Sequence, residues 1–149
     1  MEELSFTDYI EKNVYVVAIA GNITSQSVRL FNQFISPILN QVTKHTKINS
    51  LVLDMKAVSL LDSSGIGLIC GKYVRMKKSG KKLALCNVHP SVQEILKTSG
   101  LGSTFTYYQN VPESLAILGT ESNDTAINPT GPTGKSFQDV IEQKLVTRK

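Results

Sequence analysis

Apolar positions along this chain follow two rhythms that trade places. Tyr9-Ile10 and the run from Val14 to Ala20 have strand character, with polar Glu11-Lys12-Asn13 between them. Lys12-Asn13 fits a tight turn, so the pattern predicts an N-terminal β-hairpin. Gly21-Asn22-Ile23-Thr24 breaks the run, and Thr24 or Ser25 is placed to cap a following helix. Val28, Phe31, Ile35, Ile38, Leu39 and Val42 recur at helical spacing, which predicts an amphipathic helix over residues 25–44. Pro37 falls inside it. An interior proline costs about 3 kcal/mol of helix stability, so a kink is expected, or two shorter helices with Ser36 capping the second.

Ser50 to Met55 reads as a buried strand, apolar on both faces at its centre. Val58, Leu60 and Leu61 lead into Asp62-Ser63-Ser64-Gly65. From Ser64 the pattern is helical, with Ile66, Ile69, Cys70 and Tyr73 on one face and Gly80 as the stop. Leu83 to Cys86 is a second buried strand. Pro90-Ser91-Val92 opens a short helix that carries Ile95 and Leu96 and ends at Gly100. Thr104 to Tyr108 reads as a strand with Phe105 and Tyr107 on one side, and Val111 to Leu118 as a last helix. Helices and strands alternating after a hairpin predict an α/β fold of βα units around a mostly parallel central sheet. The crossovers are expected to be right-handed.

Residues 1–119 carry all of these elements and are expected to form one domain. Beyond Gly119 the composition changes. Residues 120–135 are rich in Thr, Asn, Gly and Pro, as in a flexible linker. Phe137, Val140, Ile141 and Leu145 then share one helical face, with Ser136 and Asp139 spaced as a weak capping box, so residues 136–149 form a tail with a possible short amphipathic helix. That helix would either lie on its own domain or dock on a partner.

Charge and composition remove several function classes. The chain has 149 residues, a net charge of +4 and a pI near 9.1, milder than a dedicated nucleic-acid binder. No run approaches the roughly 18 apolar residues of a membrane span. Met1-Glu2-Glu3 lacks the positive start of a signal peptide, so a cytoplasmic protein is expected. Cys70 and Cys86 lie in apolar runs without CxxC spacing and are expected to be buried, reduced thiols. His45 and His89 lack metal-ligand spacing, and no metal is expected. Lys72, Arg75, Lys77, Lys78, Lys81 and Lys82 crowd into eleven acid-free residues. They suit the solvated C-terminal end of a helix, or else an acidic partner or an anionic membrane surface. Nucleic acid fits less well, because no aromatic platform accompanies them.

The informative segment is Leu60-Leu61-Asp62-Ser63-Ser64-Gly65-Ile66-Gly67, at a strand-to-helix transition. Its hydroxyls suit helix capping, worth about 1 kcal/mol, and Gly65 and Gly67 suit close helix–sheet packing or a tight turn. A helix start also offers unpaired N–H groups and a positive dipole end, which can stabilise a phosphate on Ser63. Such a phosphate adds about −1.5 to −2 charges at pH 7 beside Asp62, with Asp54 expected nearby. A partner surface fitted to neutral Ser63 would then be repelled. The Gly-x-Ser-x-Gly elbow of a nucleophilic serine is absent, His89 is the only plausible histidine for a triad, and Gly65-Ile66-Gly67 lacks the spacing of a phosphate-cradling loop. No enzyme activity is expected.

These residues resemble the STAS family, the domain of bacterial anti-anti-sigma factors. The resemblance rests on Leu51-Val52-Leu53-Asp54 followed by Leu61-Asp62-Ser63-Ser64-Gly65-Ile66-Gly67. Gly80-Lys81-Lys82-Leu83, Pro90-Ser91-Val92 and Leu96-Lys97-Thr98-Ser99-Gly100-Leu101 match in order, and the similarity spans roughly residues 5–118. It implies a βα superhelix with its phosphoacceptor at Ser63, flanked by partner-binding Asp62, Ser64, Gly65, Asn22 and Thr24. It further implies an anti-sigma factor antagonist: the unphosphorylated form binds an anti-sigma factor that is also a serine kinase and so frees a sigma factor, phosphorylation breaks the complex, and a phosphatase resets it. No cofactor is implied, ATP belonging to the kinase. The family commonly has Gly-Glu-Leu-Asp where this chain has Gly21-Asn22-Ile23-Thr24, so two negative charges are gone and the partner is expected to differ accordingly. A non-switching STAS module, acting as a scaffold or ligand-binding subunit, is the alternative. Deleting residues 120–149 is expected to leave the melting temperature nearly unchanged in a calorimetric scan; a large drop would show that the tail packs on the domain.

Overall fold

The computed structural model describes residues 4–119, so the linker and tail expected beyond Gly119 lie outside the described residues. Strand β1 (Ser5–Glu11) runs antiparallel to β2 (Val14–Ala20), and Lys12-Asn13 closes the hairpin, with Lys12 in the left-handed region at φ 57°. β1 is longer than Tyr9-Ile10 because only every second residue needs to be apolar to pair along a sheet edge. Helix α1 (Val28–Lys44), β3 (Ser50–Ala57), α2 (Ser63–Lys78), β4 (Lys82–Cys86), α3 (Pro90–Thr98), β5 (Thr106–Tyr108) and α4 (Val111–Leu118) follow in the predicted alternation. The strands lie in the order β1-β2-β3-β4-β5, and every pairing after the hairpin is parallel.

The sheet buries its two faces unequally. One is covered by α1, α2 and α3, whose Phe31, Ile35, Leu39, Val42, Ile69, Met76, Val92 and Leu96 meet Tyr15, Val17, Leu51, Leu53 and Leu85. The other face is covered by the short α4, where Leu115 and Leu118 pack on Val14, Val16, Val52, Ala84 and Cys86. Asn13 fixes the hairpin turn to this layer: its Nδ2 donates to the Leu118 carbonyl at 3.2 Å, and its own carbonyl accepts from Asn49 N at 2.9 Å.

Three local expectations give way to packing. α1 runs as one continuous helix through Pro37, not two, and Ser36 donates to Asn32 Oδ1 instead of capping a second helix. Pro37 and Gln33, whose carbonyl loses its usual donor, are both exposed, so water can satisfy that group. Phe31 and Ile35 on one side, and Ile38, Leu39 and Val42 on the other, are buried. Each contributes roughly 1.5–3 kcal/mol, which outweighs the proline's cost. β5 is shorter than Thr104–Tyr108, since Phe105 drops into the core and meets Tyr73 edge-on at 5.4 Å. Cys70 is only half-buried, unlike the fully buried Cys86.

The helix stops behave as the glycines predict. Gly80 and Gly100 take positive φ, and Lys81 N and Leu101 N reach back to the carbonyls of Met76 and Leu96. Among the described residues, no helix is long and apolar enough to cross a membrane. Burial, then the nearby Asp54 charge, pushes the Cys86 thiol up to about 12. A thiolate there is scarce at pH 8, so a thiol reagent should titrate Cys70 quickly in the native protein and Cys86 only after unfolding. Two fast thiols in the native protein would contradict this packing.

Candidate functional site

The site forms where two loops leave the C-terminal ends of β2 and β3. Gly21, at φ 119°, turns the chain out of β2, and its N–H donates to the Ala57 carbonyl at 3.0 Å. The two loops then run side by side. Ile23 N donates to Leu60 O at 3.0 Å, Asp62 N donates to Ile23 O at 3.1 Å, and Ile23 forms a parallel bridge with Leu61. Ile23 and Leu61 are both buried, which anchors the pair.

Asp62 then holds the turn together. Its Oδ1 accepts from Ser64 N at 2.9 Å and Gly65 N at 3.2 Å, capping α2. Its Oδ2 accepts from Ser25 N at 2.9 Å, on the other loop. The cap was expected of the serine hydroxyls, and the carboxylate performs it instead. It presents a full negative charge to the positive end of the helix dipole, which a hydroxyl cannot. Ser63 is therefore released from capping: it is exposed, and no hydrogen bond to its hydroxyl is found among the described residues. Two of the N–H groups expected to hold a phosphate, those of Ser64 and Gly65, are already occupied by Asp62.

Asn22 is exposed, and its Oδ1 accepts from Ser59 Oγ at 3.0 Å. Thr24 caps the turn before α1 but does not begin the helix: Thr24 N donates to Ser27 Oγ at 3.0 Å while Gln26 N donates to Thr24 Oγ1 at 3.3 Å. Ser27 is the residue before the first helical turn, so the start lies later than Thr24 or Ser25. Asp54 does not join this site. It accepts from Asn87 Nδ2 at 2.9 Å and Lys56 N at 3.1 Å, and it borders Cys86 across the sheet. The His89 ring is engaged elsewhere, its Nε2 donating to the Lys56 carbonyl at 2.7 Å. Among the described residues, no cluster of three or more His, Cys, Asp or Glu side chains could hold a metal.

Ser25 and Leu60 were missed. Ser25 contributes through its backbone N–H, which leaves no side-chain signal. Leu60 is 45% exposed next to this turn, whereas Leu61 is 1% exposed. Two adjacent leucines leaving a strand must point to opposite sides, so that pair was the available clue.

Residues 6–114 match the model of the STAS domain, over most of the chain. The chain belongs to the STAS domain family. It is similar to an anti-sigma F factor antagonist of Paenibacillus polymyxa, with 29% identity over 110 residues that cover 72% of this chain and 88% of that protein. Its fold resembles that of the anti-sigma factor antagonist SpoIIAA in its unphosphorylated form, at TM-score 0.62 and 20% identity, covering 80% of this chain and all of the other. It also resembles part of the murine solute carrier 26 family member A9 anion transporter, at TM-score 0.66 and 16% identity, covering 82% of this chain and 23% of that one. The βα architecture of this STAS chain is the one the resemblance implied, and the hairpin before it is the one the apolar pattern predicted.

The two glycines of the STAS turn differ in kind. A Cβ on Gly65 would lie 2.7 Å from Ile23 Cγ2, Ile23 O and Leu61 Cδ1, so only glycine lets the loops meet; nothing lies within 4 Å of one on Gly67. The close-packing expectation therefore holds for Gly65 and fails for Gly67, which is exposed. Gly65→Ala should lose about 1–3 kcal/mol to the clash, while Gly67→Ala should gain about 0.5–1 kcal/mol from helix propensity. Urea unfolding midpoints check this, and equal shifts of the same sign would show that the approach at Gly65 is no constraint.

Proposed function

We propose that this chain is an anti-sigma factor antagonist switched at Ser63. The unphosphorylated form binds an anti-sigma factor that is also a serine kinase, and a sigma factor is released. Phosphorylation of Ser63 ends the binding, and a separate phosphatase restores it. The chain supplies the docking surface and the acceptor hydroxyl and holds no cofactor. It acts in the cytoplasm. The observation that carries this reading is the exposed Ser63 hydroxyl at the first turn of α2, left uncommitted because Asp62 does the capping. The name of the Paenibacillus polymyxa relative supports it.

The mechanism is local electrostatics. Leu60 and Asn22, exposed, and Ser64 and Thr24, half-exposed, lie on the two joined loops and the first turn of α2 and offer a partner uncharged, partly apolar side chains to close on. Adding about two negative charges there places them next to Asp62, whose carboxylate already occupies the nearest donors. The partner must then bury an uncompensated dianion or separate, and burying it costs several kcal/mol. Asn22 and Thr24 stand where the family commonly carries acids, so the matching partner surface needs fewer cations at that point.

The second reading is a STAS module that binds without switching, favoured by the likeness to a domain within the murine anion transporter. Ser63→Ala should bind the kinase constitutively, and Ser63→Asp should bind about 30-fold or more weakly, measured by calorimetric titration. Protein isolated from its host should carry phosphate on Ser63 by intact mass and peptide mapping. Equal affinity of the two variants, with no phosphate found, would favour the second reading.

A further inference from the structure

The charge of the molecule is segregated along α2. Residues 25–53 and 63–93 contain no Asp or Glu, and these stretches supply α1, α2 and the starts of β3 and β4. α1 and α2 lie side by side, joined by Lys72 Nζ donating to Ser36 Oγ at 3.0 Å and by the Arg75 guanidinium bonding to Asn40 Oδ1. Their C-terminal ends therefore come together, at the opposite end of α2 from Ser63. α2 has 16 residues and is about 24 Å long. Lys44, Arg75, Lys77 and Lys78 are exposed at this pole. Lys81 is turned inward, donating to the carbonyls of His45 and Ile48 where α1 ends. Arg75 bonds a neutral amide, and Lys77 sits 6.0 Å from the Tyr73 ring, so neither contact cancels charge.

Two helix C-termini attract some cations through their dipoles, but one or two per helix meet that need. The remainder suits a diffuse anionic field. Most of the exposed cations here, Lys82 included, are lysines, point charges on flexible stems, and lysine is depleted at protein interfaces while arginine is preferred for bidentate recognition. Of the large exposed apolar residues Leu30, Leu60, Val74 and Ile117, only Val74 neighbours this pole, so it lacks the aromatic anchors of a protein hot spot. It likewise lacks the stacking platform of a nucleic-acid groove.

We propose that the basic pole at the C-terminal ends of α1 and α2 docks on an anionic lipid bilayer and leaves Ser63 facing away from it. The inference is independent of the switch, since it uses the other end of the helix. The test is co-sedimentation of the full chain with vesicles of phosphatidylcholine containing phosphatidylglycerol, against pure phosphatidylcholine, at low and high salt. Binding should need the anionic lipid and should fade with salt. Lys77→Gln with Lys78→Gln should lower partitioning roughly 25-fold, at about fivefold per cation. Arg29→Gln with Lys56→Gln removes the same charge from the Ser63 end and should change it less than about twofold, since those positions lie beyond the reach of the bilayer's surface potential. An equal loss from both pairs, equal binding to pure phosphatidylcholine, or no binding to anionic vesicles at low salt would overturn the proposal. So would salt-sensitive binding to a DNA duplex by a protein that ignores the vesicles.

Discussion

A single carboxylate divides its two oxygens between two loops, and the functional end of the molecule depends on that division. Oδ1 of Asp62 closes the first turn of α2, and Oδ2 holds Ser25 of the loop that leads to α1. Parallel strands deliver their following loops to the same end of a sheet but do not join them. Here the main-chain ladder through Ile23 brings them together, and the missing side chain of Gly65 lets them touch. The consequence reaches Ser63. A serine that caps its own helix would lose that bond when modified, and the fold would weaken with the signal. With Asp62 as the cap, the Ser63 oxygen can change its charge while α2 stays closed. In the proposed switch, stability and signal would be carried by adjacent residues, not by the same one.

Much of the fold was legible because its long elements keep a clean period. The switch from period two to period 3.6 occurs at Gly21, Asp62 and His89, and each is close to a boundary in the structure. The hairpin turn at Lys12-Asn13 and the stops at Gly80 and Gly100 were visible for local reasons, since turns and helix ends have their own residue requirements. What sequence rules misjudged was decided by distant contacts. Pro37 reads as a break only if the helix stands alone. On this sheet the proline faces water, and the apolar stripe on either side is buried without interruption. Phe105 reads as a strand residue by type, but the pocket under Tyr73 takes its ring and the strand starts one residue later.

The candidate site was legible to a different degree. Asp62-Ser63-Ser64-Gly65 could be placed at a strand-to-helix transition, but its division of labour could not. A hydroxyl and a carboxylate are both good caps, and only the geometry assigns the role to Asp62. Asp54 seemed a neighbour of Ser63 from its place at the end of β3. Strand parity directs it to the opposite face of the sheet, where its charge adds to the burial that raises Cys86 and Tyr9. Ser25 could not have been found, because a backbone N–H has no residue type.

Distance along α2 keeps the two charged ends of the molecule separate. The lysines of its last turn lie about 20 Å or more from Ser63, over two Debye lengths at physiological salt. They cannot neutralise a phosphate there, nor can a phosphate there release whatever they hold. Asp62, one residue away, is the charge a phosphate would meet first, and it has the same sign. Arg29, in the first turn of α1, and Lys56, near the end of β3, are exposed cations at that end, and Asn22 and Thr24 add no charge of their own. The new charge would therefore be felt at full strength only by a surface in contact with the turn. Under the proposed switch, a phosphate would be reported to whatever covers Ser63 and to nothing farther off, so the partner's surface would have to supply the discrimination that the fold does not.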